Sequence, residues 1–430
     1  MDWQKKYRDK IVSAKEAVSR VQSGDHIAVS QLHGASRLLM DALYDRRMEL
    51  YDVCVLSGIS IKSESIILEN YEPHIYHVSR FSSQQFRSYY HSGRGQFFPL
   101  HLSLNREWMS CVFKPTVAFV MVTEPDNNGL CSLSMNADSI YDAVELSRCV
   151  IAHVNPLLPR TDGAQISLDE VTCVVYEAEP LGELHYESVS SVERCIARHI
   201  ANRITDGACL QLGIGSLPDS IMSLLHDRNN LGIHTECFSD AVAEMTQKGI
   251  ITNEKKQIDK GKSVATFVAG TAKLIQFLSN NKGVMIMPPS YTNNPYIISQ
   301  NDNVVSINSC LEVDLLGQVN AECINGLQYS GVGGQVDFIR GASMSKGGQS
   351  FIVMPSTAIN GTVSRVVASF VPGTAVTTSR CDVKSIVTEY GIADLWGKNV
   401  RQRAQELIKI AHPKYRESLE RQAYELHYLR

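Results

Sequence analysis

The sequence predicts an α/β protein whose two domains each hold an open, mostly parallel sheet. Short apolar, β-branched segments alternate with amphipathic segments along the whole chain. Continuous apolar strands separated by helices are typical of parallel sheets covered on both faces. The chain has 430 residues, more than one ordinary domain holds. The alternation also occurs twice, before and after a polar segment at 177–193.

Each half offers its own series of elements. The predicted strands of the first half are HIAVS (26–30), DVCVLSG (52–58), HIYHVS (74–79), TVAFVMVT (116–123), CVIAHVN (149–155) and TCVVYE (172–177), with helices at 37–47 and 139–148. Those of the second half are ACLQLG (208–213), GIHTE (232–236), SVATFVAG (263–270), VMIMP (284–288), FIVMP (351–355), TAVTT (374–378) and SIVTEYG (385–391).

The polar segment at 177–193 marks the domain boundary, because it contains Pro180 and Gly182. We therefore predict domains at 1–185 and 186–430. An amphipathic helix over 191–204 opens the second domain. The tail reads as helices broken at Pro413, since proline cannot continue a helix.

Composition excludes several classes of protein. A net charge of −4 argues against nucleic acid as a partner, because phosphate backbones need a concentrated basic face. The 11 cysteines form no C-x-x-C pair and mostly lie in apolar segments, which predicts reduced, buried thiols without a metal. No signal peptide and no run of about 18 apolar residues is found, so we expect a cytoplasmic protein with no membrane partner.

A glycine-containing turn follows the predicted strand at 208–213. Gly213, Ile214 and Gly215 precede Pro218, which starts a helix. Glycine lets a ligand approach the backbone, and N–H groups at a helix start favour an anion. A simple tight turn is the alternative. The third glycine of the dinucleotide fingerprint is missing, which makes a nicotinamide site a poor interpretation.

Glu236 ends the predicted strand at 232–236. Ligands of open α/β sheets bind beyond the carboxyl ends of strands, where a carboxylate can act as nucleophile or general base. It can equally cap a turn or pair with a cation. Cys237 is adjacent, but on a strand its side chain points to the other face, so we interpret it as a core thiol.

Two further segments contain glycines or acids. The segment 329–355 has six glycines, a density that favours an anion-binding loop over a merely flexible one. Glu389 and Asp394 lie near a strand end, and we interpret them as structural. His74 and His77 would form a metal pair only on a helix; in an extended strand they point to opposite faces. The sequence has no G-x-S-x-G, Walker A or H-E-x-x-H motif.

Together these motifs resemble the acetyl-CoA hydrolase/transferase family of class I CoA transferases, and within it the 4-hydroxybutyrate and butyryl-CoA:acetate enzymes. The resemblance covers nearly the whole chain. It rests on QLGIGSLPD (211–219), LGIHTECFSD (231–240), LEVDLLGQVNAE (311–322), SGVGGQVDF (330–338), SKGGQSFIVMPST (345–357), VTEYGIADLWGK (387–398), IKIAHPKYRESL (408–419), HVNPLLPRTDG (153–163), KIVSAKEAV and NADSI.

The resemblance implies a CoA-transferase whose active site lies between two open α/β domains. It implies that Glu236 is the nucleophile, which carries CoA between an acyl-CoA and a short-chain carboxylate through a glutamyl-CoA thioester. It also implies a homodimer or larger homo-oligomer, CoA as substrate and no permanently bound cofactor or metal. The implied CoA-binding residues are Gly213, Ile214, Gly215, Ser216, Leu217, Leu311 and Gly334. Backbone N–H groups of the segments 213–217 and 331–334, the second of which includes Gly333 and Gly334, are our candidates for an oxyanion hole.

The chain departs from the family pattern at Ile359, where many members have lysine, and at Trp396, where arginine is commoner. Two other functions stay open. An acyl-CoA hydrolase would use the same glutamate and admit water. A non-catalytic CoA- or nucleotide-sensing module would share only the scaffold.

Overall fold

The computed structural model describes residues 3–59, 73–185, 188–279 and 281–430. The chain divides into two compact units. The first comprises Met1–His185, Cys237–Asp240 and Lys262–Thr292, and the second comprises Tyr186–Glu236, Ala241–Gly261 and Asn293–Arg430. The first junction therefore lies where the polar segment occurs, and two later segments return to the first unit.

The first unit is built on a seven-stranded sheet. Its strands are β1 (His26–Val29), β2 (Val53–Ser57), β3 (Ile75–Ser79), β4 (Gln96–Phe97), β5 (Val117–Val122), β6 (Cys149–Val154) and β7 (Cys173–Tyr176). Their spatial order is β7-β6-β5-β1-β2-β3-β4, and every pair is parallel. β5 and β6 are buried along their whole length, as their continuous apolar sequences predict.

Smaller ladders complete the first unit. Val284–Ile286 pairs in parallel with Ser263–Ala265 and with Asp162–Gly163. Cys237–Phe238 pairs with Phe267–Val268, and Leu130–Ser132 pairs antiparallel with Gln165–Ser167. The segment 262–292 therefore supplies strands to a ladder that begins much earlier in the chain.

The second unit is built on a six-stranded sheet. Its strands are β8 (Cys209–Leu212), β9 (Gly232–Ile233), β10 (Val304–Ser309), β11 (Gln349–Val353), β12 (Ser385–Thr388) and β13 (Gly391–Asp394). The order is β9-β8-β10-β11-β12-β13, parallel except for the last pair. β10 is not among the predicted strands, because its serines and asparagine interrupt the apolar run. The predicted α/β class with mostly parallel sheets is confirmed.

Short ladders lie beside the second sheet. They are Glu312–Asp314 with Val319–Asn320 and Val366–Val367, Cys323–Ile324 with Leu327–Gln328, and Thr357–Ala358 with Val363–Ser364. The strand predicted at 374–378 was wrong: only Thr378 makes an isolated bridge, to Val319. Thr374 instead closes a turn with Val371.

The helices follow the amphipathic segments. The α-helices are Trp3–Lys6, Ala14–Val18, Arg37–Asp45, Arg87–His91, Asn105–Trp108, Asp138–Leu146, Ser191–Ala201, Ser216–Ser223, Asp240–Gln247, Ala272–Leu278, Pro289–Thr292, Pro295–Ile298, Gln335–Met344, Val400–Ile410 and Pro413–Glu425. Pro413 begins the last helix, so the predicted break there is confirmed. Within the described ranges, no helix is both long and apolar enough to cross a membrane.

Candidate active site

The second sheet has a topological switch point between β8 and β10. The chain passes from β8 outward to β9 and then returns to β10 on the opposite side of β8. Ligands of open α/β sheets bind beyond the carboxyl ends of the strands at such a point. The predicted segment Gly213–Leu217 follows β8, Leu311 follows β10, and Glu236 follows β9. The sheet topology therefore places these three predicted segments together at the carboxyl ends of the strands.

Glu236 lies in a bend, half-buried, three residues beyond the end of β9. The predicted strand was too long: it ends at Ile233, because the side chain of Thr235 takes over the pairing. The Thr235 hydroxyl accepts from Leu212 N–H at 3.2 Å and donates to Leu212 O at 2.9 Å. This exchange fixes the segment that carries Glu236 against the end of β8.

Asn293 contacts the carboxylate of Glu236 directly. Its Nδ2 donates to Glu236 Oε1 at 2.5 Å, and its side chain is fully buried. An ionised carboxylate only accepts hydrogen bonds, which assigns the amide nitrogen to this contact. Among the described residues, the other amide atom, Asn293 Oδ1, has no hydrogen-bond partner. Asn293 was not predicted, because Asn-Asn-Pro in a sequence is typical of a turn.

Gly334 packs against the same two side chains. A Cβ atom at this position would overlap Glu236 Oε1 and Asn293 Nδ2. Only glycine therefore fits beside the carboxylate. Gly333 precedes it with φ 60°, a left-handed conformation, and has open space around it. The structure thus brings together Glu236, Asn293 and Gly334, which are widely separated in the chain.

The predicted glycine turn after β8 leads into a helix. Gly215 caps helix Ser216–Ser223 with φ 122°. Ile214 is 42% exposed, and no atom within 4 Å would meet a Cβ at Gly213. Ser216 donates to Glu193 Oε1 at 2.5 Å. Burial raises the pKa of Glu193, but hydrogen bonds from Ser216 and Ser190 outweigh it and lower the pKa. The turn is therefore anchored at one end and open at the other.

The loop after β10 places Leu311 half-buried, and its N–H donates to Asn320 O at 2.8 Å. A polar cluster lies under this end of the two strands. The buried Gln211 of β8 accepts from Ser306 Oγ at 2.7 Å and from Asn308 Nδ2 at 3.0 Å, both on β10. The cluster satisfies the buried amide and joins the two strands that flank the switch point.

The glycines of the segment 329–355 suggested one long loop, and this prediction was wrong. Helix Gln335–Met344 and strand β11 occupy most of it. Gly341 lies inside that helix, where a Cβ would come within 2.5 Å of Ile298 Cγ2. Glycine at 341 is therefore explained by close packing of the helix against Ile298. Gly333 and Gly334 instead precede the helix, at the end where Gly334 packs against Glu236.

Glu389 and Asp394 have structural roles, as interpreted. Glu389 accepts from Ser356 N at 2.8 Å and from Ser356 Oγ at 2.6 Å. Asp394 accepts from Ser385 Oγ and pairs with Arg203, each at 2.7 Å. Cys237 is buried, which agrees with a core thiol.

The two departures from the family pattern are exposed. Ile359 is 72% exposed at φ 48° in the turn between Thr357–Ala358 and Val363–Ser364. Trp396 is 69% exposed, with Lys384 Nζ 5.5 Å from its ring centroid. Across the described part of the chain, no group of three or more His, Cys, Asp or Glu side chains is arranged to hold a metal ion.

Comparison with known families matches both halves of the chain. Residues 1–182 match the acetyl-CoA hydrolase/transferase N-terminal domain, and residues 270–423 match the C-terminal domain. The chain therefore belongs to the acetyl-CoA hydrolase/transferase family, and the resemblance drawn from its motifs is confirmed.

Relatives along nearly the full length place the chain among the CoA-transferases. It is 42% identical to the 4-hydroxybutyrate coenzyme A transferase of Clostridium kluyveri, over 97% of this chain and 98% of that protein. It is 34% identical to the butyryl-CoA:acetate CoA-transferase of Anaerostipes caccae, over 97% of each.

Solved structures agree with this assignment. RipA from Yersinia pestis has a TM-score of 0.95 at 34% identity, with full coverage of both chains. The 4-hydroxybutyrate CoA-transferase of Porphyromonas gingivalis has a TM-score of 0.83 at 34% identity, covering 99% of this chain and 100% of that one.

Proposed function

We propose that this CoA-transferase moves CoA from an acyl-CoA to a short-chain carboxylate by covalent catalysis on Glu236. The observation that carries the proposal is the contact of Glu236 with Asn293 and Gly334 at the switch-point edge. A carboxylate is a weak nucleophile in water. A half-buried carboxylate fixed by a buried amide donor is oriented for attack and partly desolvated.

The reaction proceeds by exchange of carboxylate and thiolate. A Glu236 oxygen attacks the thioester carbonyl, and the C–S bond breaks. CoA departs as its thiolate, and a mixed anhydride between Glu236 and the acyl group is formed. The thiolate then attacks the glutamyl carbonyl, and the anhydride C–O bond breaks to release the first acid as its carboxylate. A glutamyl-CoA thioester remains, and a second carboxylate reverses both steps. This order gives ping-pong kinetics.

Each attack passes through a tetrahedral oxyanion that needs hydrogen-bond donors. Backbone N–H groups of the segments 213–217 and 331–334 are our candidates, because both lie at this edge of the sheet. Loss of one such donor typically costs about 10²–10³ in rate. CoA takes part as a substrate, and these steps use no permanently bound cofactor.

The acids we propose are acetate, butyrate and 4-hydroxybutyrate. The relatives named above are called 4-hydroxybutyrate and butyryl-CoA:acetate transferases. Another, 40% identical over 97% of this chain, is the succinyl-CoA:cyclohexane-1-carboxylate CoA transferase of Geobacter metallireducens. The family thus spans acids of different size, and a difference of one methylene changes selectivity by only about 1–3 kcal/mol.

The test is the intact mass of the protein after mixing with butyryl-CoA and no acceptor acid. We expect a covalent adduct of CoA minus water that disappears when acetate is added. Glu236→Gln should form none, and Glu236→Asp should lose most transfer, because a displacement of about 1 Å can cost ~10²-fold. Glu244→Gln is the control, since Glu244 is exposed and pairs with Lys248.

Other outcomes would contradict the proposal. Normal transfer by Glu236→Gln would show that Glu236 is not the nucleophile. Steady release of free thiol without an acceptor indicates a hydrolase. A relative called acetyl-CoA hydrolase, from Yarrowia lipolytica, is 30% identical over 49% of this chain. CoA binding with neither adduct nor thiol, across a panel of acyl-CoAs, indicates a binding module.

A further inference from the structure

The strand that leads to Glu236 lies at the edge of its sheet. Among the strands that the structure describes, β9 has β8 as its one neighbour in the sheet. Towards β8, Gly232 and His234 donate their N–H groups to Ala208 O at 2.9 Å and Leu210 O at 3.1 Å. In a parallel ladder the intervening residues point their backbone groups away, so those of Leu231 and Ile233 face outward. These buried outward groups need other partners.

Backbone atoms satisfy the first outward pair. Leu231 N–H donates to Ile250 O at 2.9 Å, and Leu231 O accepts from Thr252 N and Asn253 N at 3.1 and 3.0 Å. After Asn253 the chain turns away, and Asn253 itself has φ 59°. No backbone hydrogen bond of the described residues continues this outer ladder beside Ile233.

Two side chains take the place of the missing strand at Ile233. Asn253 Oδ1 accepts from Ile233 N–H at 2.8 Å, and Lys256 Nζ donates to Ile233 O at 3.0 Å. Asn253 is 3% exposed and Lys256 is 4% exposed. Both outward groups of Ile233, three residues before Glu236, are therefore held by buried polar side chains.

Burying the ammonium group of a lysine costs free energy, which its hydrogen bond to Ile233 O helps to offset. Burial lowers the pKa of Lys256, although the nearby Cys209 and Asp259 raise it. Its stem also crosses β9 closely, since a Cβ at Gly232 would lie 2.8 Å from Lys256 Cγ. Glycine at 232 is what admits the lysine stem.

We infer that Asn253 and Lys256 are positioning residues for the nucleophile: they fix the outer edge of β9 and thereby the carboxylate of Glu236. The inference rests on the proposed function of Glu236. Thr235 ties the same segment to β8 on the inner side. The contacts on the inner and outer sides of β9 together fix the position of the backbone before Glu236. Attack on a thioester carbonyl requires a nucleophile that is oriented in this way.

The experiment measures the single-turnover rate of CoA-adduct formation from butyryl-CoA, by rapid quench and intact mass. CoA affinity is measured on the same proteins by calorimetry. The variant is Lys256→Met, which keeps the stem and removes the donor. The control is Lys10→Met, because Lys10 Nζ also donates to backbone carbonyls, of Leu168, Asp169 and Val171 at 2.8 Å each, but within the first unit.

We expect Lys256→Met to slow adduct formation by about 10²-fold while CoA affinity stays at the wild-type value. Lys10→Met should change neither. Adduct formation in Lys256→Met as fast as in Lys10→Met would overturn the inference. So would a loss of rate that only matches a loss of CoA affinity.

A second pair of variants keeps the test decisive if Lys256→Met does not fold. Asn253→Asp keeps an acceptor oxygen, whereas Asn253→Gly removes it, and both residue types tolerate φ 59°. Adduct formation retained by aspartate and lost by glycine supports the inference; equal rates overturn it. Absence of any adduct on the wild-type protein would instead defeat the proposed function of Glu236 itself.

Discussion

Asn293 Nδ2 donates to Glu236 Oε1 at 2.5 Å, and the two residues lie 57 positions apart in the chain. The amide is fully buried, so the contact is not exchanged for water. It orients the carboxylate that we propose as the nucleophile.

Replacing Asn293 with aspartate should abolish most CoA transfer. A carboxylate at this position cannot donate to Glu236 Oε1, and its charge would repel the Glu236 carboxylate. We expect a fall in kcat/KM of at least ~10²-fold at pH 7. Butyryl-CoA:acetate transfer measures it, and a kcat/KM close to the wild-type value would contradict the orienting role of Asn293. Asn294→Asp, which keeps the cap acceptor for Tyr296 N–H, should transfer normally.

Gly334→Ala should reduce transfer by about 10²-fold or more. The new methyl group would occupy the position of Glu236 Oε1 and Asn293 Nδ2 and displace both. Backbone strain is not expected at Gly334, because its φ of −102° is accessible to alanine. Gly326→Ala is the control: its φ of 77° is unfavourable for alanine, but open space surrounds the position, so transfer should stay normal. An equal loss of transfer in the two variants would contradict displacement of the carboxylate as the cause.

Stability of the first unit should depend on pH through His77. It is buried beside Tyr44, Phe86 and Tyr89, and burial lowers the pKa of His77 to about 4. The unfolded chain therefore binds this proton more tightly. The contribution is complete above pH ~6.5 and is lost as the pH falls towards 4, by up to about 3 kcal/mol.

The measurement is the thermal midpoint at pH 7.5 and at pH 5, at one scan rate. The thermal midpoint of the wild-type protein should be lower at pH 5 than at pH 7.5. His77→Gln removes the titrating group and should show a smaller fall. An identical fall in both proteins would assign the pH dependence to other groups.

Arg80→Leu should destabilise the first unit by about 3–5 kcal/mol, because it leaves the buried carboxylate of Asp138 without its cation. Arg80 is 6% exposed, and its Nη2 atom lies 3.4 Å from Asp138 Oδ1. Arg37→Leu is the matched control. It breaks an exposed pair with Asp41 and should cost less than about 1 kcal/mol in urea unfolding.

Ile359→Asn should raise the thermal midpoint. A β-branched residue at φ 48° is strained, whereas asparagine adopts the left-handed region readily. We expect a gain of about 1 kcal/mol, since Ile359 is exposed and loses little packing. Ile359→Val, which keeps the branch at Cβ, should leave the midpoint unchanged. No gain with asparagine would mean that another contact holds the turn.

Much of the fold could be predicted from local pattern. β5 and β6 are continuous apolar runs and were predicted within one residue at each end. β10 was missed although it is central, because polar side chains of Ser306 and Asn308 bond to Gln211 on the neighbouring strand. A local pattern cannot show that such residues have partners 95 or more positions away in the chain.

The candidate site could be predicted only in part for the same reason. Glu236 and the glycine turns were found because strand ends and glycines are visible in the sequence. Asn293, Asn253 and Lys256 were not, because they act through contacts that exist only after folding. Asn253 even substitutes for a strand, a role that its residue type does not announce.

The division of the first unit into three chain segments has a consequence for synthesis. The strand Asp162–Gly163 pairs with Val284–Ile286, which leaves the ribosome more than 100 residues later. A nascent chain therefore cannot complete its amino-terminal unit before the polypeptide has been made to Thr292. Separately expressed halves divided at residue 185 would each lack native neighbours.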